Sequence, residues 1–271
     1  MELERERNKL EAAGVNIAAL SYDSAALLAD FGERKGIGYP LLSDPGSAII
    51  RQVGLLSPAF PPDHALHGVP HPVTLLIGAD GVIAERHVEE SYRQRRPLSS
   101  VLVHRGIAAE DAVSDQLVEH FGLRTAASSD LAYPGQRLTL SLAFDLKDGF
   151  HAYAPGDHDY RALELLLDEH PLLEPGETVR PEAQSFHFAP LDETVPVYEG
   201  QVRLLQDVVL RAGKPTYEKA DAGEPLQITG RLLYQICSDT ICFPPTELAV
   251  SWTLGIEPGI LERAPEALRQ D

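Results

Sequence analysis

The two cysteines are the residues of this chain whose type and spacing fit a chemical role most directly. Cys237 and Cys242 lie five positions apart. On one strand that spacing would leave the sulfurs about 16 Å apart on opposite faces, and on one helix the side chains that meet are about three or four positions apart. A disulfide requires Cα atoms roughly 4.4–6.8 Å apart. The pair is therefore predicted to close across a turn, with residues 238–241 as a hairpin loop.

A bridge at this position contributes little to stability, which favours a redox role. The chain-entropy relation gives roughly 2 kcal/mol for a ring of about six residues, and a chain of 271 residues buries an adequate core without it. An inert bridge and two free thiols remain open alternatives, because spacing alone does not establish reactivity. A structural zinc site is disfavoured, because the sequence has no second Cys or His pair nearby at ligand spacing.

Charge and composition argue against several functional classes. The formal net charge of −18 disfavours binding to nucleic acid or to anionic membranes. No run of about 18 apolar residues is present, so no transmembrane helix is predicted. The first twenty residues lack the apolar core of a signal peptide. Neither a metal nor a cofactor is predicted, because His64, His67 and His71 share one loop without a clear fourth ligand.

The amino-terminal part of the chain shows the periodicity of alternating helices and strands. Helices are predicted over residues 3–13, 25–35, 46–53 and 96–105, with Ser24 as the cap of the second. Strands are predicted over residues 15–20, 41–42, 73–77 and 82–88, the first of them buried and the last two forming a hairpin. This order is thioredoxin-like, so an α/β domain is predicted over residues 1–106.

Three segments of this region resemble the peroxiredoxin (AhpC/TSA) family. They are Ala-Leu-Ser-Tyr-Asp-Ser at 19–24, Tyr-Pro-Leu-Leu-Ser-Asp-Pro at 39–45, and Thr-Leu-Leu-Ile at 74–77. That family carries its reactive cysteine after a first strand, at the start of the helix that precedes Val15. This chain begins inside that helix and has no cysteine before Cys237. The resemblance therefore implies a truncated thioredoxin-like domain, lacking the first strand, the Cys-bearing helix start and a peroxidatic thiol.

The missing elements lead to a hypothesis about the start of the chain. We hypothesise that Met1 is an internal start, and that the gene begins upstream with a strand and a Cys or selenocysteine motif. The competing interpretation is a degenerate domain that is kept for docking.

After about residue 125 the pattern changes to strands. Residues 138–144, 202–210 and 226–234 alternate between apolar and polar side chains, and clusters of Pro, Gly and Asp separate them. Short strands with regular turns predict an all-β, immunoglobulin-like sandwich over residues 125–256. Residues 107–124 are predicted to form a helical linker, and residues 257–271 a loose helical tail.

The cysteine hairpin itself resembles the amino-terminal domain of the DsbD family. The resemblance rests on Gln-Ile-Cys at 235–237, Ile-Cys-Phe-Pro-Pro at 241–245 and the alternating strand at 248–252. It implies an immunoglobulin-like domain that passes electrons between a membrane thiol carrier and periplasmic partners. A periplasmic location conflicts with the lack of an export signal in this sequence, so the compartment is left unassigned.

The DsbD resemblance also implies a set of site residues. Cys237 and Cys242 would be the reactive pair, with Cys242 the one that joins the partner. Tyr153 matches the last position of the family's Gly-aromatic-aromatic-x-Tyr strand, and plain strand packing is the alternative role for it. His151 stands where an aromatic residue is usual, and an imidazolium there would favour a thiolate.

Other residues are assigned to the surroundings of the pair. Tyr234 and Phe243 are candidate aromatic neighbours, and a covering loop is expected around residues 188–193. Asp239 would oppose thiolate formation if it were close, although its position at a loop tip favours a turn-forming role.

The sequence therefore predicts a thiol–disulfide exchange protein that carries electrons through a C-x4-C hairpin. Its partner would be a redoxin or another disulfide-bearing protein, with no nucleic acid bound and no membrane insertion. Two alternatives remain: a docking module with a structural disulfide, and a fragment of a thiol or selenol peroxidase whose reactive residue lies upstream of Met1.

Overall fold

The chain divides into two compact units. The computed structural model describes residues 2–64, 67–89, 94–106, 111–188, 192–238, 240–259 and 265–266. Unit 1 comprises Met1–Ala108 and Gly259–Asp271, and unit 2 comprises Ala109–Pro258. Within the described residues, no helix combines the length and the apolar character that a membrane span requires.

Unit 1 is a mixed α/β structure. Its elements in chain order are α1 Glu2–Ala12, β1 Ala19–Ser21, α2 Ala25–Lys35, β2 Leu41–Ser43, α3 Ala48–Gln52, β3 Val73–Ile77, β4 Ile83–Val88 and α4 Leu98–His104. Strands β1 and β2 pair in parallel, whereas β3 and β4 form an antiparallel hairpin. The Ser24 hydroxyl accepts a hydrogen bond from Leu27 N at 3.3 Å and so caps α2. The predicted order of elements is confirmed.

The predicted buried strand at 15–20 is wrong in its extent and in its burial. The strand covers only Ala19–Ser21, and Leu20 is 38% exposed. Because side chains alternate along a strand, Leu20 points away from the face that Ala19 and Ser21 share.

Unit 2 is built of strands with one short helix among the described residues. Its elements are β5 Asp111–Val118, β6 Phe121–Ala127, β7 Leu131–Ala132, β8 Arg137–Leu146, β9 Phe150–Tyr153, β10 Glu164–Leu167, β11 Leu173–Val179, β12 Gln184–Phe188, β13 Glu193–Glu199, β14 Gln201–Leu210, α5 Lys214–Asp221, β15 Leu226–Tyr234, β16 Ile236–Ser238 and β17 Thr246–Ile256.

These strands form three sheets. A five-stranded antiparallel sheet has the order β11-β14-β8-β6-β5, and a four-stranded sheet has the order β10-β15-β17-β7. The third sheet, β12-β13-β9-β16, is antiparallel throughout and carries the first cysteine. Unit 2 is thus β-rich, which is consistent with a second domain.

The main core of unit 2 collects the inward faces of these sheets. Every second residue is buried over residues 226–232 of β15 and 250–256 of β17, as the alternation of apolar side chains predicts. Trp252 is 2% exposed, and its indole Nε1 donates a hydrogen bond to the Ala126 carbonyl of β6 at 2.9 Å. This bond ties the sheet of β17 to the five-stranded sheet within the main core.

The helical linker predicted over residues 107–124 is wrong for its described part. Residues 111–118 and 121–127 form β5 and β6, which pair with each other, and β6 also pairs with β8. Phe121, Leu123 and Thr125 alternate into the interior, each at most 3% exposed. Long-range pairing with β8 therefore outweighs the helix propensity of this Ala- and Glu-containing stretch.

Two further differences concern short segments. Helix α5 forms where the sequence showed only a Gly-Lys-Pro turn signal, and Pro215 sits in its first turn, where a missing N–H is tolerated. Most of the predicted helical tail at 257–271 lies outside the described residues.

Candidate functional site

The cysteine pair lies on an excursion between two paired strands. The last residue of β15, Tyr234, pairs with the first residue of β17, Thr246. Between them, residues 235–245 leave this sheet, and Ile236–Ser238 joins the third sheet as β16 beside β9. The base of the excursion is therefore fixed by the β15–β17 ladder, and its first arm is fixed by β9.

The two cysteines face each other across a tight hairpin and form a disulfide. Their Cα atoms are 4.1 Å apart, and they make an antiparallel bridge. Ser238 N donates to Ile241 O at 2.8 Å, and Phe243 N donates to Ile236 O at 2.9 Å. The cysteines therefore form a non-hydrogen-bonded pair of an antiparallel ladder, with one hydrogen bond on each side. In such a pair the opposite side chains approach most closely. The predicted closure across residues 238–241 is confirmed.

The two sulfur-bearing residues differ sharply in exposure. Cys237 is 0% exposed, whereas Cys242 is exposed beside Ile241, which is 58% exposed. The Cys242 side of the bridge is therefore open to solvent, whereas the Cys237 side is enclosed by the protein.

A tyrosine hydroxyl lies beside both sulfurs. Tyr153 Oη is 3.2 Å from Cys237 Sγ and 3.5 Å from Cys242 Sγ. Because the sulfurs of a disulfide carry no proton, the hydroxyl is the donor in these contacts. Burial, followed by the nearby Tyr160 and Glu193, raises the pKa of Tyr153 to about 12. The hydroxyl therefore keeps its proton at neutral pH.

Tyr153 belongs to a small apolar cluster separate from the main core. The cluster contains Tyr153, Val195, Val197 and Cys237, with Tyr160 and Phe186 packed against it. Val197 is the cross-strand neighbour of Tyr153 on β13. Cys237 is thus fully buried among apolar and aromatic side chains of the third sheet.

His151 lies directly across from the buried cysteine. It pairs with Cys237 in the β9–β16 ladder and is 3% exposed. Its ring packs on Phe186, with 4.3 Å between the ring centroids, and meets Tyr153 edge-on at 5.7 Å. The structure thus brings His151, Tyr153 and Cys237 together.

Two other predicted neighbours, Tyr234 and Phe243, make ring contacts away from Tyr153. Tyr234 is in the main core, where its ring packs against Phe121 and Phe144 with centroid distances of 5.1 and 5.9 Å. Phe243 packs on His120 at 4.3 Å and so fastens the returning arm of the hairpin to the β5–β6 turn. Asp239 lies outside the described residues, as does the centre of the expected covering loop, residues 189–191.

Sequence reasoning missed three residues around Tyr153. Tyr160 stacks on the Tyr153 ring, Glu193 accepts a hydrogen bond from Tyr160, and His158 approaches both rings. Tyr160 and His158 lie in the loop between β9 and β10, where no periodic pattern marks their direction. Among the described residues, no group of three or more His, Cys, Asp or Glu side chains is arranged to hold a metal ion.

The two parts of the chain match two protein families. Residues 1–86 match the AhpC/TSA family. Residues 123–253 match the family described as "Thiol:disulfide interchange protein DsbD, N-terminal". Both resemblances seen in the sequence, including the thioredoxin-like interpretation of the amino-terminal part, are confirmed. No curated protein matches the chain significantly.

Two solved structures are similar to part of the chain. The N-terminal periplasmic domain of ScsB from Proteus mirabilis is 18% identical with a TM-score of 0.36, covering 58% of this chain and 55% of that one. The Neisseria meningitidis DsbD n-terminal domain in the reduced form is 19% identical with a TM-score of 0.28, covering 43% of this chain and 80% of that one. The chain therefore spans 55% of the length of the ScsB domain structure.

Proposed function

We propose that unit 2 is a thiol–disulfide exchange domain that carries electrons through Cys237 and Cys242. The main support is the asymmetry of the disulfide, which joins an exposed cysteine to a fully buried one beside the protonated phenol of Tyr153. The match of residues 123–253 to the DsbD amino-terminal family and the presence of the bridge support a role in thiol–disulfide exchange in general.

The exchange proceeds in two displacements. A thiolate of a partner dithiol attacks Cys242 Sγ, the bond between the two cysteines breaks, and Cys237 Sγ leaves with the electron pair. The second thiolate of the partner then attacks the partner's own sulfur in the mixed disulfide and releases Cys242. The partner dithiol is oxidised to a disulfide, the chain gains two thiols, and the protons pass through solvent. The reverse sequence oxidises the chain.

Tyr153 assists the first displacement at the buried sulfur. A thiolate that forms out of contact with water is costly unless a donor stabilises it. The Tyr153 hydroxyl is 3.2 Å from Cys237 Sγ. Its hydrogen bond strengthens as negative charge develops on that sulfur, because bonds to charged acceptors are stronger than bonds to neutral ones.

The proposed partner is a redoxin or another protein that presents a dithiol or disulfide. The exposed Cys242 is flanked by Ile241, Pro244 and Pro245, all of them exposed. These exposed apolar residues beside Cys242 can contact the reactive site of another protein, whereas the buried Cys237 cannot.

We also propose a specific domain organisation. Unit 2 would be an immunoglobulin-like sandwich, supported by its mostly antiparallel sheets and its buried Trp252. A thioredoxin-like domain would end near residue 106, and the β domain would include β5 and β6, which the sequence had placed in a linker.

The deciding experiment is a redox titration of the full chain, with the state of Cys237 and Cys242 read by alkylation and mass spectrometry. A reversible two-electron transition between about −120 and −270 mV is the expected result, since that range is typical of exchange proteins. A bridge that remains oxidised below about −300 mV is typical of structural disulfides and would favour the docking-module alternative. Two thiols that never pair would also overturn the proposal.

A further inference from the structure

The phenol beside the sulfurs is held by a second tyrosine that the exchange steps themselves do not use. The rings of Tyr153 and Tyr160 stack with their centroids 4.1 Å apart and their planes 3° from parallel. The Tyr160 hydroxyl donates a hydrogen bond to Glu193 Oε2 at 2.9 Å. The next residue, Arg161, donates its backbone N–H to Gln235 Oε1 at 3.0 Å. Three separate segments thus converge on one side of Tyr153.

We propose that Tyr160, anchored by Glu193, is a positioning residue that keeps the Tyr153 hydroxyl directed at the sulfurs of Cys237 and Cys242 throughout the exchange. This role rests on the proposed function of the pair. Glu193 acts one step further away, because it fixes Tyr160 and does not itself contact a sulfur in the structure.

The geometry explains why such support is needed. The hydroxyl lies 3.2 and 3.5 Å from the two sulfurs. A hydrogen bond weakens steeply with misalignment, so a small tilt of the ring would remove the donor from both sulfurs. One face of the Tyr153 ring is fixed by the stacked Tyr160 ring, and the strand position of Tyr153 is fixed by pairing with Val197.

The direction of the hydrogen bonds is consistent with this role. The Tyr160 hydroxyl donates to the Glu193 carboxylate, and this bond, together with burial, raises the pKa of Tyr160. Tyr160 therefore remains a neutral phenol whose proton is committed to Glu193. The Tyr160 oxygen can then only accept from the Tyr153 hydroxyl, a contact that raises the pKa of Tyr153 and lowers that of Tyr160. As negative charge develops on a sulfur during the exchange, that sulfur becomes the stronger acceptor for the Tyr153 proton.

The test measures the rate at which dithiothreitol reduces the disulfide of the full chain. Tyr160→Phe keeps the ring but loses the hydrogen bond to Glu193, which anchors it, so we expect the rate of reduction to fall about threefold. Tyr160→Ala loses both the ring and the anchor, so we expect the rate of reduction to fall about tenfold. We also expect the equilibrium with glutathione to shift about tenfold toward the disulfide, which corresponds to about 30 mV. Glu193→Ala should resemble Tyr160→Phe, whereas Glu193→Gln, which keeps an acceptor oxygen, should restore most of the rate.

A double-mutant cycle separates positioning from a general structural effect. If Tyr160 acts through the Tyr153 hydroxyl, Tyr160→Phe has no further effect once Tyr153→Phe is present. Tyr217→Phe and Glu218→Gln, both on α5, are the matched controls and should leave the rate unchanged. Urea unfolding of each variant shows whether it folds. If Tyr160→Ala does not fold, the two single variants Tyr160→Phe and Glu193→Ala provide the test.

The possible failures are distinguishable. If the wild-type pair is redox-poised but dithiothreitol reduces the Tyr160→Phe variant at the wild-type rate, the positioning role is wrong and the proposed function stands. The same holds if the effects of Tyr153→Phe and Tyr160→Phe simply add. A wild-type bridge that dithiothreitol opens only after unfolding overturns the proposed function, and the positioning role with it.

Discussion

At the scale of single residues, the unequal exposure of the two cysteines decides how the pair can react. Cys237 is fully buried in the cluster around Tyr153, and Cys242 is exposed at the hairpin. Each single variant leaves one thiol: Cys242 in Cys237→Ala, and Cys237 in Cys242→Ala. We expect the Cys242 thiol to react with iodoacetamide at least about tenfold faster than the Cys237 thiol, because the reaction requires an accessible thiolate. Alkylation followed over time by mass spectrometry measures the two rates.

The same pair of variants can be compared after unfolding. In urea both thiols are accessible, so the two rates should become similar. Equal rates in the native state would contradict the assignment of Cys242 as the sulfur that a partner attacks.

Removing the phenol hydroxyl should slow the exchange without removing the bridge. We expect Tyr153→Phe to be reduced by dithiothreitol about tenfold more slowly, because a hydrogen bond to a charged group contributes about 1.5–3 kcal/mol. Tyr217→Phe on α5 removes a hydroxyl elsewhere and should react at the wild-type rate. A Tyr153→Phe rate equal to that of the wild type would leave the residue with a packing role only.

The raised pKa of Tyr153, about 12, predicts a specific alkaline transition. An unfolded tyrosine titrates near about 10. The neutral phenol is therefore favoured in the folded chain, and its contribution to stability is complete below pH about 10 and is lost as pH rises through about 12. We expect the difference in unfolding free energy between wild type and Tyr153→Phe to change over that window in urea titrations. A constant difference across it would contradict the assigned burial.

At this scale, the five positions between the two cysteines predicted a hairpin. The resemblance of residues 149–153 to a strand of the DsbD family pointed to Tyr153 and His151. Tyr160 and Glu193 could not be found this way. They reach Tyr153 from a loop and from the start of another strand, and only the folded chain brings those segments together.

At the scale of elements, the site depends on how β10 is seated against β15. Tyr160 and Arg161 lie just before β10, and Leu163 N donates to Tyr153 O at 2.7 Å. Gly230 of β15 permits this close approach, because a Cβ there would lie 2.6 Å from the Leu166 carbonyl oxygen. The position of the loop that carries Tyr160 therefore depends on a glycine of β15, which belongs to a different sheet from Cys237.

Gly230→Ala should consequently displace β10 and affect both stability and exchange. We expect a loss of about 1–3 kcal/mol in the free energy of unfolding, typical of overpacking, together with slower reduction of the disulfide. Gly122→Ala is the matched control, since its Cβ would meet nothing closer than Asp145 Cβ at 3.8 Å. Urea titrations and dithiothreitol kinetics measure both effects, and a Gly230→Ala variant as stable as Gly122→Ala would contradict the argument.

The elements that sequence predicted well are those with strong alternation or clear caps. Strands β8, β14 and β15 and helix α2 show such signals and occur where expected. The sequence predicts a helix over the stretch of β5 and β6 because its Ala, Gln, Leu and Glu residues favour helix locally. Its strand state depends on β8, which follows after an intervening turn, and pairing of that kind leaves no local signature.

At the scale of the whole molecule, the redox pair belongs to one of the two units. The disulfide closes a short ring within Ala109–Pro258, and the described residues of Met1–Ala108 include no cysteine. The two family matches divide the chain in the same way, at residues 1–86 and 123–253. A change in redox state should therefore act on unit 2 through the hairpin and its neighbours.

Hydrogen exchange of the full chain tests this localisation. Opening the bridge removes a constraint of roughly 2 kcal/mol by the chain-entropy relation, so amides of residues 236–243 and of β9 should exchange faster in the reduced chain. Peptides of unit 1 should exchange alike in both states. The Cys237→Ala, Cys242→Ala double variant, treated with the same reductant, shows what the reductant itself does. If reduction changed the amide exchange of unit 1 in the wild type but not in the double variant, the redox state would act on both units. The localisation to unit 2 would then be wrong.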